Sequence, residues 1–140
     1  MELLAAALIK CGVAAGDTVC QFADNSSRWL VADQAIMLCA CINAVRGATA
    51  PEDELLRIVD VAAPKALVVQ DRAAFERLAP HIGTRIHGLK FVMLLWDEVT
   101  PEMRAAAPTA VYSYNEVRTF ERSHCCSTLS EPLRSPQRVI

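Results

Sequence analysis

The order of helical and strand-like patterns predicts an α/β protein, an incomplete doubly wound sheet whose strands run mainly parallel. Two observations carry that prediction. Residues 18–22 (TVCQF), 65–70 (KALVVQ) and 90–96 (KFVMLLW) are short runs rich in β-favouring residues, and the first reads as buried on both faces. Between them, apolar residues recur at helical spacing, so strand and helix alternate along the chain.

Leu3, Leu4, Ala7, Leu8 and Cys11 give an opening amphipathic helix that Gly12 ends, and a turn through Asp17 leads into the first strand. Asn25 or Ser26 is the N-cap of the next helix. Trp29, Leu30, Ala32, Ile36, Met37 and Ala40 give that helix an apolar surface too broad for one lying on water. Asn43 to Gly47 closes it and starts a second short strand, so the unit implies a right-handed parallel crossover.

Thr49 and Glu52 stand at capping-box spacing around Pro51, and Leu55, Leu56, Ile58 and Val59 supply the buried face of a third helix that Pro64 breaks. Asp71 or Arg72 opens a fourth helix, and Pro80 ends it. Beyond Trp96 the pattern weakens: Thr100-Pro101-Glu102 caps a short helix, and residues 114–122 suggest another. Residues 101–122 are therefore read as a weakly helical continuation. Residues 123–140 lack apolar periodicity and are expected to form a disordered or non-homologous tail. Four strands would leave the sheet with an open edge.

Composition narrows the function classes. At 140 residues and 53% hydrophobic, the chain is large enough for one packed core. A net charge of −2 with interspersed signs offers no basic stripe, so nucleic acid is not an expected partner. The longest apolar run, from Ala35 to Ile42, falls well below the roughly 20 residues of a spanning helix, so no transmembrane segment is expected. The N-terminus has no positive region and no transit-peptide composition, which favours an intracellular chain of unknown compartment.

The six cysteines, Cys11, Cys20, Cys39, Cys41, Cys125 and Cys126, include no pair with the gap of a zinc or redox knuckle. Four lie in apolar elements, where cysteine behaves as a small hydrophobe. His124-Cys125-Cys126 has no second cluster to complete a metal site.

Ligands of an open α/β sheet collect beyond the carboxyl ends of its strands. There, Asn25, Ser26 and Ser27 have donors for an anion, but no glycine admits a phosphate, so helix capping is the favoured role. A glycine-rich dinucleotide turn, a P-loop and a Gly-x-Ser-x-Gly elbow are all absent from the sequence. Asp24 and Asp71 follow the first and third predicted strands, yet one acid at each is thin for magnesium. Arg46, at the end of the second strand, is expected to pair with Glu52 or Asp53. His81, His87 and His124 fall in connecting or terminal segments, with no carboxylate placed by sequence to orient them. No catalytic, cofactor-binding or metal-binding residue is assigned.

Residues 12–71 carry Gly-Val, Gly-Asp-x-Val, Phe-Ala-Asp-Asn-Ser-x-x-Trp-Leu, Ala-Asp, Glu-Leu and Ala-Leu-Val-Val in that order. This pattern resembles the early part of adenylate-forming (AMP-binding) acyl ligases, most similarly long-chain acyl-CoA synthetases and acyl–acyl carrier protein synthetases. The resemblance covers roughly residues 1–100, as part of the family's N-terminal subdomain. Residues 38–46 resemble the family's second core motif, with Cys41 where a glycine is common.

The resemblance implies ATP, Mg2+ and coenzyme A or phosphopantetheine as cofactors of an intact enzyme, with a fatty acid and CoA or acyl carrier protein as its partners. It implies a cytoplasmic or plastid setting. The family's Ser/Thr/Gly-rich phosphate loop ending in Pro-Lys-Gly is absent from the sequence, and His81-Ile82-Gly83-Thr84 is no substitute. The expected protein is a fragment of an ATP-dependent long-chain fatty acid ligase, from a truncated product, a partial gene model or a longer chain, and inactive alone. The alternative is a non-catalytic, stand-alone α/β interaction module.

Overall fold

A computed structural model describes residues 1–120 of the chain. The expected tail at residues 123–140 and the His124-Cys125-Cys126 cluster lie outside the described residues. Five parallel strands form one sheet: β1 (Thr18–Phe22), β2 (Ile42–Arg46), β3 (Ala66–Val69), β4 (Phe91–Leu94) and β5 (Ala110–Ser113). Their order across the sheet is β2-β1-β3-β4-β5. The chain moves outward from β1 to β2, then returns past β1 to lay down β3. The topological switch therefore lies between β1 and β3.

Six helices connect and cover the strands: α1 (Glu2–Lys10), α2 (Ser27–Leu38), α3 (Glu52–Ala62), α4 (Arg72–Leu78), α5 (Pro101–Ala106) and α6 (Tyr114–Thr119). Strand side chains alternate between two cores. Val19, Val68, Phe91 and Met93 face α1, α2 and α6, meeting Leu8, Ile36 and Val117. Cys20, Phe22, Leu67 and Val92 face the other way, against Leu56, Phe75 and Met103 of α3, α4 and α5. The sheet thus sits between two helical layers. Every residue of β3 and β4 is buried, and so are four of the five in β1.

Local chemistry sets most boundaries. Ser26, Asp71 and Thr100 cap α2, α4 and α5 by accepting from the backbone N–H groups of Trp29, Ala74 and Met103. Ser113 and Glu116 form a reciprocal capping box at the start of α6. The Thr49/Glu52 box expected from the sequence does not form. Pro51 is extended, with ψ 142°, and takes the N-cap position itself, so Thr49 lies outside the helix. Three acids, Glu52, Asp53 and Glu54, meet the positive end of α3 instead.

Two further features depart from the sequence reading. The first is β5, which lies within the stretch read as helical. Its four residues are too short for a visible alternation, and β4 supplies the ladder that makes them a strand. The second is the end of α2. Ala40 is left-handed with φ 55°, the Cys41 N–H donates to the Ile36 carbonyl at 3.2 Å, and the Ala40 N–H donates to Met37 at 2.9 Å. These two bonds make a Schellman motif with Ala40 at the position that glycine favours. Cys41 follows it, buried, with its thiol donating to the Ala14 carbonyl at 3.3 Å. The residue that bears the backbone strain is therefore Ala40.

Burial also sets the thiol chemistry. Desolvation pushes the Cys11 thiol up to about 11 and the Cys20 thiol up to about 12. Cys39 is raised by desolvation and then by Cys41, and Cys41 by desolvation and then by Asp17.

Two outcomes follow from this packing. Ala40→Gly relieves the left-handed alanine and is expected to raise unfolding free energy by about 1 kcal/mol in urea denaturation. In folded protein at pH 8, Cys20 is expected to alkylate at least roughly 100-fold more slowly than a free thiol, as read site by site by mass spectrometry. Labelling of Cys20 at the rate of a free thiol would contradict its place between the layers.

Candidate functional site

A cleft of about 670 Å³ lies at the carboxyl edge of the sheet, where the switch point predicts a ligand site. The residues after β1 (Asp24, Asn25, Ser26), β3 (Gln70, Asp71) and β4 (Trp96, Asp97) line it. Asp24 and Asp71, both singled out in the sequence, therefore do come to one place.

One oxygen of each is bonded to a backbone amide of the protein itself. Asp24 Oδ1 accepts from the Ala48 N–H at 3.0 Å, and the Asp24 N–H donates to Gln70 Oε1 at 2.9 Å. Gly47 lets this turn close, since a Cβ there would come within 3.1 Å of Asp24 Oδ1. Asp71 Oδ1 accepts from the Ala74 N–H at 2.9 Å, and its Oδ2 accepts from Gln70 Nε2 at 3.2 Å. Asp97 Oδ2 accepts from the Arg72 N–H at 2.7 Å, while Arg72 Nε donates to Glu76 at 2.7 Å. Ser26 Oγ accepts from the Trp29 N–H at 3.1 Å, so its acceptor role is spent on the cap.

These residues do not fit magnesium–ATP. A metal needs carboxylate oxygens turned toward one point, and a triphosphate needs amide or cationic donors free to meet it. Here Asp24 binds an amide of the loop after β2, Asp71 and Asp97 bind amides of the first turn of α4, and the cleft's arginine is paired to Glu76. Among the described residues, no group of three His, Cys, Asp or Glu side chains is arranged to hold a metal ion. What the cleft chemistry does accomplish is to tie the β1, β3 and β4 ends together.

Contacts distant in sequence reinforce that edge. Arg28, in the first turn of α2, donates from Nη1 to the Leu95 carbonyl just past β4. Its guanidinium lies 4.5 Å from the centre of the Trp96 ring and 4.8 Å from that of Tyr114. Gln21, fully buried in β1, donates to the Trp29 carbonyl at 2.9 Å and accepts from Asn43 Nδ2 at 2.8 Å. Asn43 also donates to Asp33 at 2.8 Å, and its own Oδ1 is buried with no hydrogen-bond partner among the described residues.

Two pairings differ from expectation. Arg46 bonds Glu54 at 2.6 Å, one or two residues beyond the acids expected to meet it. The bond to Arg46 holds the Glu54 carboxyl below its usual range and raises Arg46. His81 does have a carboxylate partner, since its Nε2 lies 2.7 Å from Glu52 Oε1 across 29 residues of sequence. Arg77, not singled out by sequence, donates to the Ala48 and Ala50 carbonyls at 2.8 and 2.6 Å, bracing the loop before α3.

Comparison with known proteins places this scaffold. The family model for AMP-binding enzymes matches residues 1–126. The chain is 44% identical over 109 residues to a probable acyl-activating enzyme 16, chloroplastic, of Arabidopsis thaliana, covering 78% of this chain and 15% of that one. It is 39% identical over 106 residues to the long-chain-fatty-acid–[acyl-carrier-protein] ligase AEE15, chloroplastic, also of Arabidopsis thaliana, covering 76% and 14%. The chain thus spans only about 15% of the length of these relatives.

Among solved structures, a putative long-chain-fatty-acid CoA ligase from Rhodopseudomonas palustris superposes with a TM-score of 0.65 at 22% identity, covering 83% of this chain and 27% of that one. The A domain of carboxylic acid reductase from Segniliparus rugosus, solved with AMP and a carboxylic acid, gives 0.72 at 16% identity, covering 87% and 22%. The structural likenesses show the fold, and the family match with the two sequence relatives shows the lineage: the chain belongs to the AMP-binding enzyme family.

Proposed function

We propose that this chain is scaffold from the N-terminal subdomain of an ATP-dependent long-chain fatty acid ligase. Such a ligase joins a fatty carboxylate to the α-phosphate of ATP, releasing pyrophosphate, and passes the acyl group from AMP to a thiol, on CoA or on the phosphopantetheine of acyl carrier protein. The observation that carries the reading is the 44% identity to an acyl-activating enzyme, supported by the 39% identity to a fatty-acid–acyl carrier protein ligase. The second of these favours acyl carrier protein as thiol partner, and the chloroplastic setting of both relatives favours a plastid one here.

In this reading none of the catalytic, nucleotide-binding or metal-binding groups lies in this chain, and it is inactive alone. The commitment of Asp24, Asp71 and Asp97 to backbone amides supports this. So does a sequence without the Pro-Lys-Gly phosphate loop. In this reading the scaffold is residues 1–100, continued through residues 101–122. The stand-alone interaction module keeps the same scaffold and loses the chemistry, and the long sequence matches favour the ligase reading over it.

The test is ATP–pyrophosphate exchange with long-chain fatty acids, using the purified 140-residue chain. Exchange indistinguishable from a no-protein blank is expected. Exchange that depends on both fatty acid and protein concentration would overturn the assignment of this chain as scaffold.

A further inference from the structure

The two edges of the sheet are finished differently. The Leu95 N–H donates to Val69, so odd-numbered residues of β4 bond β3 and even-numbered ones bond Ala110 and Tyr112 of β5. Val111 and Ser113 therefore turn their backbone groups outward. Both are covered by side chains. Arg104 Nη1 donates to the Val111 carbonyl, and the Ser113 N–H donates to Glu116 Oε2 at 2.7 Å. Arg104 and Glu116 are in turn paired with each other, so one ion pair seals this edge against a further strand.

The opposite edge, β2, has no such seal. The Ile42 N–H donates to Asp17 and the Arg46 carbonyl accepts from Ala23, so Ile42, Ala44 and Arg46 bond β1. Asn43 and Val45 turn their N–H and C=O groups outward, and none of these has a hydrogen-bond partner among the described residues. The strand carries no lysine, no proline and no bulge, the usual guards of an edge. Its one charge, Arg46, is drawn to Glu54 of α3 at 2.6 Å. Ile42 is 60% exposed and Val45 is 48% exposed.

These outward groups are complementary to themselves. A two-fold axis through Ala44 lays a second β2 antiparallel to the first and sets Asn43 against Val45 in both directions. Each of those pairs exchanges two main-chain bonds. Sliding the register by two residues leaves one such pair in place of two, so the outward groups select a single register. On the α3 side Ala44 then meets Ala44, and Ile42 meets Arg46 of the second copy. Glu54 holds that guanidinium, which leaves the arginine stem to cover the isoleucine. No like charges are opposed.

We propose that β2 is a self-association edge, through which two copies of this chain join as antiparallel strands of one continuous sheet. The partner is a second copy, so the proposal stands independently of the ligase reading. A seam this short belongs with the weak, transient interfaces.

Sedimentation equilibrium of the 140-residue chain, with hydrogen exchange alongside, tests it. From about 5 to about 500 µM the wild-type mass is expected to rise from one chain toward two. Over that range the Asn43 and Val45 amides should slow in exchange by at least about threefold, while the sealed Ser113 amide does not change. Val45→Pro removes a donor from the seam and keeps the Ala44 and Arg46 bonds to β1. Val45→Lys puts a charge on the edge. Both variants are expected to remain monomeric throughout. Val61→Lys, at a residue 89% exposed on α3, should dimerise like the wild type. At the lowest concentration Val45→Lys should melt within about 2 °C of wild type, because its side chain is partly in water already.

A wild-type chain that stays monomeric at every concentration overturns the proposal, as does a dimer that folded Val45→Lys leaves intact. Protection of both amides that does not depend on concentration overturns it too, since a segment of the same chain then covers the edge. Assembly beyond the dimer contradicts it as well, because a two-fold seam closes on itself.

Discussion

The structure depends on the double burial of β1 and β3. Both strands have a neighbour on each side, and their side chains point alternately into two separate cores. Neither core closes without helices on its own face, so one sheet requires two helical layers. Phe22 shows the scale: a fully buried phenylalanine in such a strand contributes about 3–5 kcal/mol against truncation to alanine. The same constraint explains Gln21, a polar side chain at full burial in β1, which is tolerable because Trp29 and Asn43 meet its amide.

That constraint also brings the loops after β1, β3 and β4 to one edge and opens a cleft there. An α/β sheet uses this edge for chemistry when its loops keep donors and acids free. In this chain the loops use them on one another. Asp24 holds the turn after β2, Asp71 caps α4, and Asp97 reaches the first residue of α4. Arg28 completes the closure by spanning from α2 to the end of β4 between two aromatic rings. The edge is cross-braced by these contacts, which suits the scaffold role proposed for the chain.

Features governed by neighbours in sequence were legible there. The caps at Ser26, Asp71 and Thr100 need only a side chain and an amide three residues on, and three strands stand out as runs rich in β-favouring residues. Features made by distant partners were not. Nothing near His81 points to Glu52, and nothing near Arg28 points to Leu95 or Trp96. β5 is a strand because β4 offers it a ladder, which a four-residue run cannot announce. At the end of α2 the sequence drew attention to Cys41, whereas the left-handed residue is its neighbour Ala40. The breadth of apolar residues on α2 was legible too, but which of them meet this chain's core emerged only from the packing.

The central claim is that the carboxyl-edge cleft serves the scaffold and is not itself a nucleotide site. Calorimetric titration of the isolated chain with magnesium–ATP tests it most directly. The account predicts no saturable heat up to millimolar nucleotide. Saturable binding that Asp24→Asn or Asp71→Asn abolishes, with the fold retained, would show that those carboxylates hold a ligand and would contradict it.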